Sequence, residues 1–229
     1  MLRVIAIDGP AASGKSSTGS LVARELGWAH LDSGALYRAV TLAVLDRFED
    51  MPNTIVPTSR ILALLEELRV RLVLVGDEFR PEIAGVDVEH AIRDDRVTRH
   101  VSTIAALPEV RAWVNAQQRH NASDQARGVV VDGRDIGTVV FPDAPLKIYL
   151  TATPDERAKR RLSQRGRTVD DAEVRRESAA LAARDEADSS RPVAPLKPAP
   201  DAVLLDSTTR TLAQQVAQVV QLARQVFPD

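Results

Sequence analysis

The sequence predicts an α/β fold in which helices cover both faces of a parallel sheet. Three observations carry that expectation. The chain opens with an apolar run, Val4 to Ile7, that passes through a glycine-rich turn into text of helical period. Further strand candidates at Val129 to Val131, Lys147 to Leu150 and Ala202 to Leu205 alternate with helical segments. Strands that alternate with helices build parallel sheets, and such strands read as continuous apolar runs. Third, the period drops to two from Val70 to Val88 around a Gly76-Asp77 turn, which predicts an antiparallel insert.

Taken in order, the first helix runs from Lys15 to Leu26, where Leu21, Val22 and Leu26 share a face and Gly27 is a natural stop. Leu36, Val40, Ala43 and Val44 mark a second helix, and Ile61, Leu64, Leu65 and Leu68 a third. Arg47 to Thr58, with Pro52 and Pro57, reads as a loose connector. Helical text resumes from Val110 to Gln118. Asp170-Asp171 favours a helix start and Ser190-Arg191-Pro192 its end, so Arg184, Asp188 and Arg191 fall on one stripe. Pro192, Pro195, Pro198 and Pro200 suit an extended return to the core better than a proline-rich partner motif. The last helix carries Leu212, Val216, Val219, Val220 and Ala223.

Composition excludes several classes. Lys+Arg 30 against Asp+Glu 32 leaves no basic footprint for a nucleic-acid polymer. The absence of cysteine removes disulfides, thiolate zinc sites, iron–sulfur clusters and cysteine nucleophiles, and points to a reducing compartment, the cytoplasm. The chain reaches Asp8 and Gly9 before any signal-like apolar stretch, so no export is expected. Its apolar runs fall far short of the roughly 20 residues a bilayer span needs, so no membrane span is expected. Only 4 of the 30 cations are lysines, a bias that suits phosphate recognition but also arises from composition alone.

The chemistry starts at Gly9-Pro10-Ala11-Ala12-Ser13-Gly14-Lys15-Ser16-Ser17, which fits G-x-x-x-x-G-K-[ST] between a strand and a helix. Glycines let the backbone wrap a phosphate chain, and the helix N-terminus adds its dipole. Lys15 then reaches the β and γ phosphates, and the Ser16 hydroxyl suits Mg²⁺. A phosphotransferase, a GTP switch and an ATPase motor or sensor all use such a loop. No lysine here follows an asparagine, so the N-K-x-D guanine signature of most switches is absent.

Further motifs narrow the choice: Asp32-Ser33-Gly34-Ala35-Leu36-Tyr37-Arg38, Ser102 to Arg111, Asp132-Gly133-Arg134-Asp135-Ile136-Gly137-Thr138, Phe141 to Pro145, Arg184 to Arg191, and Val193 to Leu196. Singly, each has a plain alternative. Asp32 or Ser33 can cap a helix, Asp132-Gly133 can be a turn, any arginine can be a surface ion pair, and Arg184 can bridge to Asp188. Together and in this order they resemble the bacterial cytidylate kinases, over essentially the whole chain. Leu162 to Thr168 departs from the pattern in looking shorter than in many relatives.

The resemblance implies a P-loop three-layer fold with a parallel sheet, a small antiparallel sheet inserted in the nucleoside-monophosphate part, and a helical lid. It implies one domain over 1–229, with the core about 1–32, 102–152 and 200–229, the monophosphate part about 33–101 and the lid about 153–192. The implied reaction is transfer of the γ-phosphoryl group of ATP to CMP, and to dCMP, in pyrimidine nucleotide metabolism. The partners are then small molecules only, and the chain is expected to be a monomer. Lys15, Arg134, Arg184 and Arg191 are the expected catalytic residues. Ser33, Tyr37, Arg38, Ser102, Arg111, Gly133, Arg134, Asp135, Arg184, Asp188 and Arg191 form the CMP site, and Ser16 and, through water, Asp132 hold Mg²⁺. Within that set, Arg38, Arg134 and Arg191 contact the acceptor phosphate, Arg184 and Asp188 the ribose, and Asp135, Arg111 and Ser102 the cytosine edge. His30, His90, His100 and His120 lack metal-ligand spacing and receive no chemistry, and Trp28 and Trp113 are read as packing residues.

Overall fold

Eight strands form a single mostly parallel sheet in the order β3-β4-β2-β6-β1-β7-β8, with β5 paired on β4. The computed structural model describes residues 2–48 and 56–228, so most of the connector expected at 47–58 lies outside the described residues. The strands are β1 (Val4–Asp8), β2 (Ala29–Asp32), β3 (Arg71–Val75), β4 (Glu78–Ile83), β5 (Val86–Asp87), β6 (Val129–Gly133), β7 (Leu146–Thr151) and β8 (Val203–Asp206). The helices are α1 (Lys15–Leu26), α2 (Ser33–Arg47), α3 (Thr58–Glu67), α4 (Asp95–Ala105), α5 (Pro108–Ser123), α6 (Pro154–Gln164), α7 (Asp171–Ser189) and α8 (Leu212–Val226). No described helix is long and apolar enough to cross a membrane.

β1 lies between β6 and β7 and is buried throughout, which explains its unbroken apolar text. Its side chains still alternate in destination. Val4 and Ala6 join the layer under α2, α4 and α5, whereas Ile5 and Ile7 join Val22, Val219 and Ala223 under α1 and α8. Trp28 packs edge-on against Phe227 and is a packing residue, as expected.

The predicted insert is antiparallel, with Val75 opposite Glu78 across the turn. It is not detached from the main sheet, because His30 of β2 pairs in parallel with Glu78 of β4. Two elements exceed the expectation. Strand β2 is only four residues long, and α4 carries a narrow stripe of Val97, Val101, Ile104 and Ala105 within charged text. The segment Ile136–Val140 forms a π-helical turn, a feature frequent at functional sites. Arg191 also departs from the expected stripe, since α7 ends at Ser189 with Ser190 as its cap.

Adjacent parallel strands end at the same level: Asp8 lies opposite Gly133, and Asp32 opposite Asp132. Three carboxylates are thus brought to the carboxyl edge of one sheet, the side on which α/β proteins bind ligands.

Candidate active site

The loop after β1 is held in a conformation that only its sequence permits. Gly9 has φ 151°, and a Cβ there would stand 2.0 Å from the Leu150 carbonyl oxygen. Gly14 caps α1 in the left-handed region. Within this loop Lys15 is 6% exposed, and its Nζ donates to the Pro10 carbonyl at 2.7 Å. Burial, then the charge of Arg134, brings its pKa down to about 7 against the pull of Asp132, Asp8 and Asp185.

Asp8 reaches across to the segment after β6, accepting from the Ile136 and Gly137 amides at 2.8 and 2.7 Å. Burial raises its pKa to about 6, although those two amide bonds favour the charged form. Asp8 thereby fixes the loop that carries Arg134 and Asp135. Sequence reading missed it, although an aspartate ending the first strand was a visible signal.

Asp132 lies between two partners. Ser16 Oγ donates to its Oδ2 at 2.7 Å, and His30 Nε2 meets its Oδ1 at 2.9 Å. Burial acts to raise its pKa, but His30, Lys15 and Ser16 together hold it below the usual carboxylate range. The neighbouring Asp32 is pushed up by burial and by the Asp132 charge. Asp32 also caps α2 by accepting from the Gly34 amide at 2.8 Å, so its capping role is real. His30, assigned no chemistry from sequence, is 5% exposed; burial lowers its pKa, but Asp132, Asp32 and Glu78 outweigh it and raise the value.

A cleft of about 170 Å³ opens above these strand ends. It is lined by Ser33, Tyr37, Arg38, Ser102, Arg111, Gly133, Arg134, Asp135, Arg184, Asp188 and Arg191, together with Ala11, Ala12, Lys15, Ser16 and Asp132. Every residue expected at the CMP site thus lies on one wall or another of it. Of the expected loop residues, Gly9, Pro10, Ser13, Gly14 and Ser17 do not line this cleft; Gly14 and Ser17 face a neighbouring one that includes Lys159, Arg160 and Gln215. The cleft adds Arg93 and Arg161, which sequence reading missed because isolated arginines in a chain with 26 of them give no signal.

At one end of the cleft, Arg111 and Asp135, each 3% exposed, form a buried ion pair. Arg111 Nη1 also donates to the Ala105 carbonyl at 3.0 Å, and its guanidinium lies 5.4 Å over the Tyr37 ring. Its Nε is buried with no partner among the described residues. Burial raises the Tyr37 hydroxyl pKa. Toward the loop, Arg38 donates to the Ile92 carbonyl at 3.1 Å and to Thr98 Oγ1 at 2.9 Å, and burial lowers its pKa to about 10. Arg134 Nε donates to Asp188 at 3.0 Å, and Arg191 Nη1 lies 3.7 Å from the same carboxylate. The plain alternative of an Arg184 to Asp188 bridge is not formed: Asp188 is engaged by Arg134 and Arg191 instead. Arg184 keeps a buried Nε with no partner among the described residues, and burial, followed by Arg134 and Arg38, lowers its pKa to about 9.

Two further residues tie α6 and α7 to the glycine loop, and neither was read from the sequence. The Ala11 amide donates to Asp185 at 3.0 Å, while Arg157 donates to the Ala11 carbonyl at 3.0 Å and pairs with Asp185. Converging guanidiniums with lowered pKa values and orphaned donors are unfavourable alone, and a multiply charged anion relieves them.

A glycine loop between a parallel strand and a helix, with carboxylates at the strand ends and arginines facing them, defines a P-loop phosphotransferase. The chain belongs to the cytidylate kinase family, whose model, described as "Cytidylate kinase", matches residues 5–225. It is therefore an ATP-dependent kinase. It is 44% identical over 217 residues to a cytidylate kinase of Pseudomonas savastanoi pv. phaseolicola, covering 95% of this chain and 93% of that one. A cytidylate kinase of Pectobacterium carotovorum subsp. carotovorum is 40% identical over 227 residues, covering 99% and 98%. Among solved structures, an uncharacterized protein from Eubacterium ventriosum superposes with a TM-score of 0.51 at 10% identity, covering 98% of this chain and 99% of that one, and supports the fold alone.

Proposed function

We propose that the protein transfers the γ-phosphoryl group of ATP to CMP, and to dCMP, giving ADP and the corresponding diphosphate. The observation that carries this reading is the buried Arg111–Asp135 pair in an arginine-lined cleft that Lys15 also lines. Such a pair offers a donor beside an acceptor. Asp135 takes the N4 hydrogens of cytosine, while Arg111 and the Ser102 hydroxyl donate to N3 and O2.

An acceptor phosphate is already ionised at neutral pH, so the attacking oxygen needs no general base. That oxygen bonds to the γ-phosphorus as the bond to the β–γ bridging oxygen breaks and ADP leaves. Catalysis is then positioning and charge stabilisation. Arg38, Arg134 and Arg191 hold the acceptor phosphate. Arg184 and Asp188 meet the ribose hydroxyls, and Arg184, which lines the same cleft as Lys15, adds its charge for the transferring group. Ser33, Tyr37 and Gly133 shape the wall, and Gly9 to Ser17 wrap the ATP phosphates.

The Ser16 hydroxyl and, through water, Asp132, whose Oδ2 lies 2.7 Å from Ser16 Oγ, would hold Mg²⁺, which keeps several waters and takes the rest of its shell from phosphates. When bound, Mg²⁺ neutralises charge on the β and γ oxygens. Residues about 153–192 act as a lid over the core, the monophosphate part spans about 33–101, and the whole works as a cytoplasmic monomer in pyrimidine nucleotide metabolism.

The test is an acceptor panel with ATP, with and without Asp135→Ala. Uracil presents an oxygen where cytosine has its amino group, and leaving a buried carboxylate unpaired typically costs about 1–3 kcal/mol. The wild type should prefer CMP over UMP at least tenfold in kcat/KM, and the variant should lose most of that preference. An unchanged CMP to UMP ratio in the variant removes Asp135 from base recognition. ATP hydrolysis without any diphosphate product would instead favour a motor or sensor.

A further inference from the structure

The geometry points to His30 as the positioning residue for Asp132. The inference rests on the proposed role of Asp132 toward the metal. The His30 imidazole, on β2, is 5% exposed, with Nε2 2.9 Å from Asp132 Oδ1. The other carboxylate oxygen, Oδ2, accepts from Ser16 at 2.7 Å. The two oxygens are thus divided: one is tethered on the protein side and the other faces the phosphate loop.

An ionised carboxylate accepts only, so His30 donates from Nε2. A carboxylate free to rotate would present either oxygen to Ser16. The imidazole removes that freedom, as partners behind a metal ligand commonly do.

The surroundings are built for this contact. Gly19 of α1 passes so close that a Cβ there would stand 3.0 Å from His30 Nε2 and 3.2 Å from Cδ2. The helix interior therefore carries a glycine, a poor helix former, where the imidazole needs the space. On its other side Nδ1 lies 3.9 Å from Glu78 of the inserted hairpin, which itself accepts from Ser20 of α1. His30 is also the β2 residue paired with Glu78 in the sheet. The hairpin, α1 and β2 thus converge on one ring behind the site.

The experiment measures Mn²⁺ binding by electron paramagnetic resonance, with the full chain and a non-hydrolysable ATP analogue, alongside steady-state kinetics. Asp132→Asn establishes whether Asp132 serves the metal at all. His30→Leu should then weaken Mn²⁺ binding about tenfold or more and lower kcat, with KM for CMP unchanged. His30→Gln, whose amide can still donate to Asp132, should recover most of the loss. Should His30→Leu fail to fold, Gly19→Ala is read instead, because it displaces the imidazole without removing it, and weaker Mn²⁺ binding is again expected. If Asp132→Asn weakens Mn²⁺ binding while His30→Leu, or Gly19→Ala in its place, leaves it unchanged, the positioning role is overturned. If Asp132→Asn itself changes nothing, the metal role of Asp132 falls, and the inference with it.

Discussion

Helices α2 and α7 both present arginine to the same cleft, yet they are anchored very differently. Eleven of the fifteen residues of α2 are buried, including Leu36, Val40, Ala43 and Val44. Among the nineteen of α7, the buried ones are Val174, Leu181 and Asp188. Arg38 on α2 is fixed by the Ile92 carbonyl and Thr98, whereas the Arg184 Nε on α7 has no partner among the described residues. Burying apolar area at roughly 25 cal/mol per Å² makes α2 part of the core, while α7 is held chiefly by the small cluster of Ala158, Leu162, Val174 and Leu181 and by polar ties to Ala11. The same chemical group is thus offered once from a deeply buried helix and once from a sparsely buried one. A transferase that must exclude water and then release product benefits from that division.

The largest effect belongs to Lys15, which lines the cleft that both helices face. Lys15→Met should lower kcat/KM by roughly 10³-fold or more, equivalent to about 4 kcal/mol of transition-state stabilisation. Because Lys15 is buried at a lowered pKa, thermal unfolding of the variant should stay within a few degrees of wild type; activity near wild type would remove the phosphate-loop assignment.

Next come the two walls themselves. Arg38→Ala and Arg184→Ala should each lower kcat/KM for CMP by about 10²-fold, as loss of one charged contact in the transition state does. Only Arg38→Ala should lower the Tm, since it leaves Thr98 and the Ile92 carbonyl unpartnered. Arg184→Ala removes a crowded cation and should leave Tm unchanged or raise it. Equal destabilisation by both would erase the distinction between walls.

Asp188 links α7 to Arg134. Asp188→Ala should therefore affect both nucleotides by loosening Arg134 and Arg191, with a further loss for CMP of about tenfold over dCMP, the worth of one charged hydrogen bond to the 2′-hydroxyl. Equal losses in steady-state assays would limit Asp188 to holding the arginines.

The smallest effect is a proton. With a pKa of about 7 in the folded protein, Lys15 is mostly neutral at pH 8.5, and ATP phosphates restore its charge. Calorimetry in buffers of different ionisation enthalpy should then detect uptake of close to one proton per ATP at pH 8.5 and almost none at pH 6. The same lowered value means that the unfolded chain binds more protons between pH 7 and 10.5, so Lys15 makes stability rise with pH across that window. Lys15→Met should flatten that slope.

Sequence and structure agree best where a local rule suffices. The glycine loop, the α1 span Lys15–Leu26 and the start of α7 at Asp170-Asp171 follow from spacing, a terminal glycine and the helix dipole alone. Strand β2 escaped because a four-residue strand has too little text for a period. Asp8, His30, Arg157 and Asp185 escaped for a different reason. Each acts on a partner more than 25 residues away, Asp8 on Ile136, His30 on Asp132, and Arg157 with Asp185 on Ala11. Sequence periodicity carries no information on such pairs. The Arg184 to Asp188 spacing suggested a bridge that the structure does not form, because Arg134 and Arg191 reach that carboxylate first.

The most direct test of the proposed reaction follows the γ-phosphoryl group itself. The protein is incubated with ATP labelled at the γ-phosphorus, CMP and Mg²⁺, and the products are separated. Label is expected in the β-phosphate of CDP, formed in step with ADP and with negligible free phosphate. Label recovered as inorganic phosphate, at a rate indifferent to CMP, would contradict transfer and leave only hydrolysis.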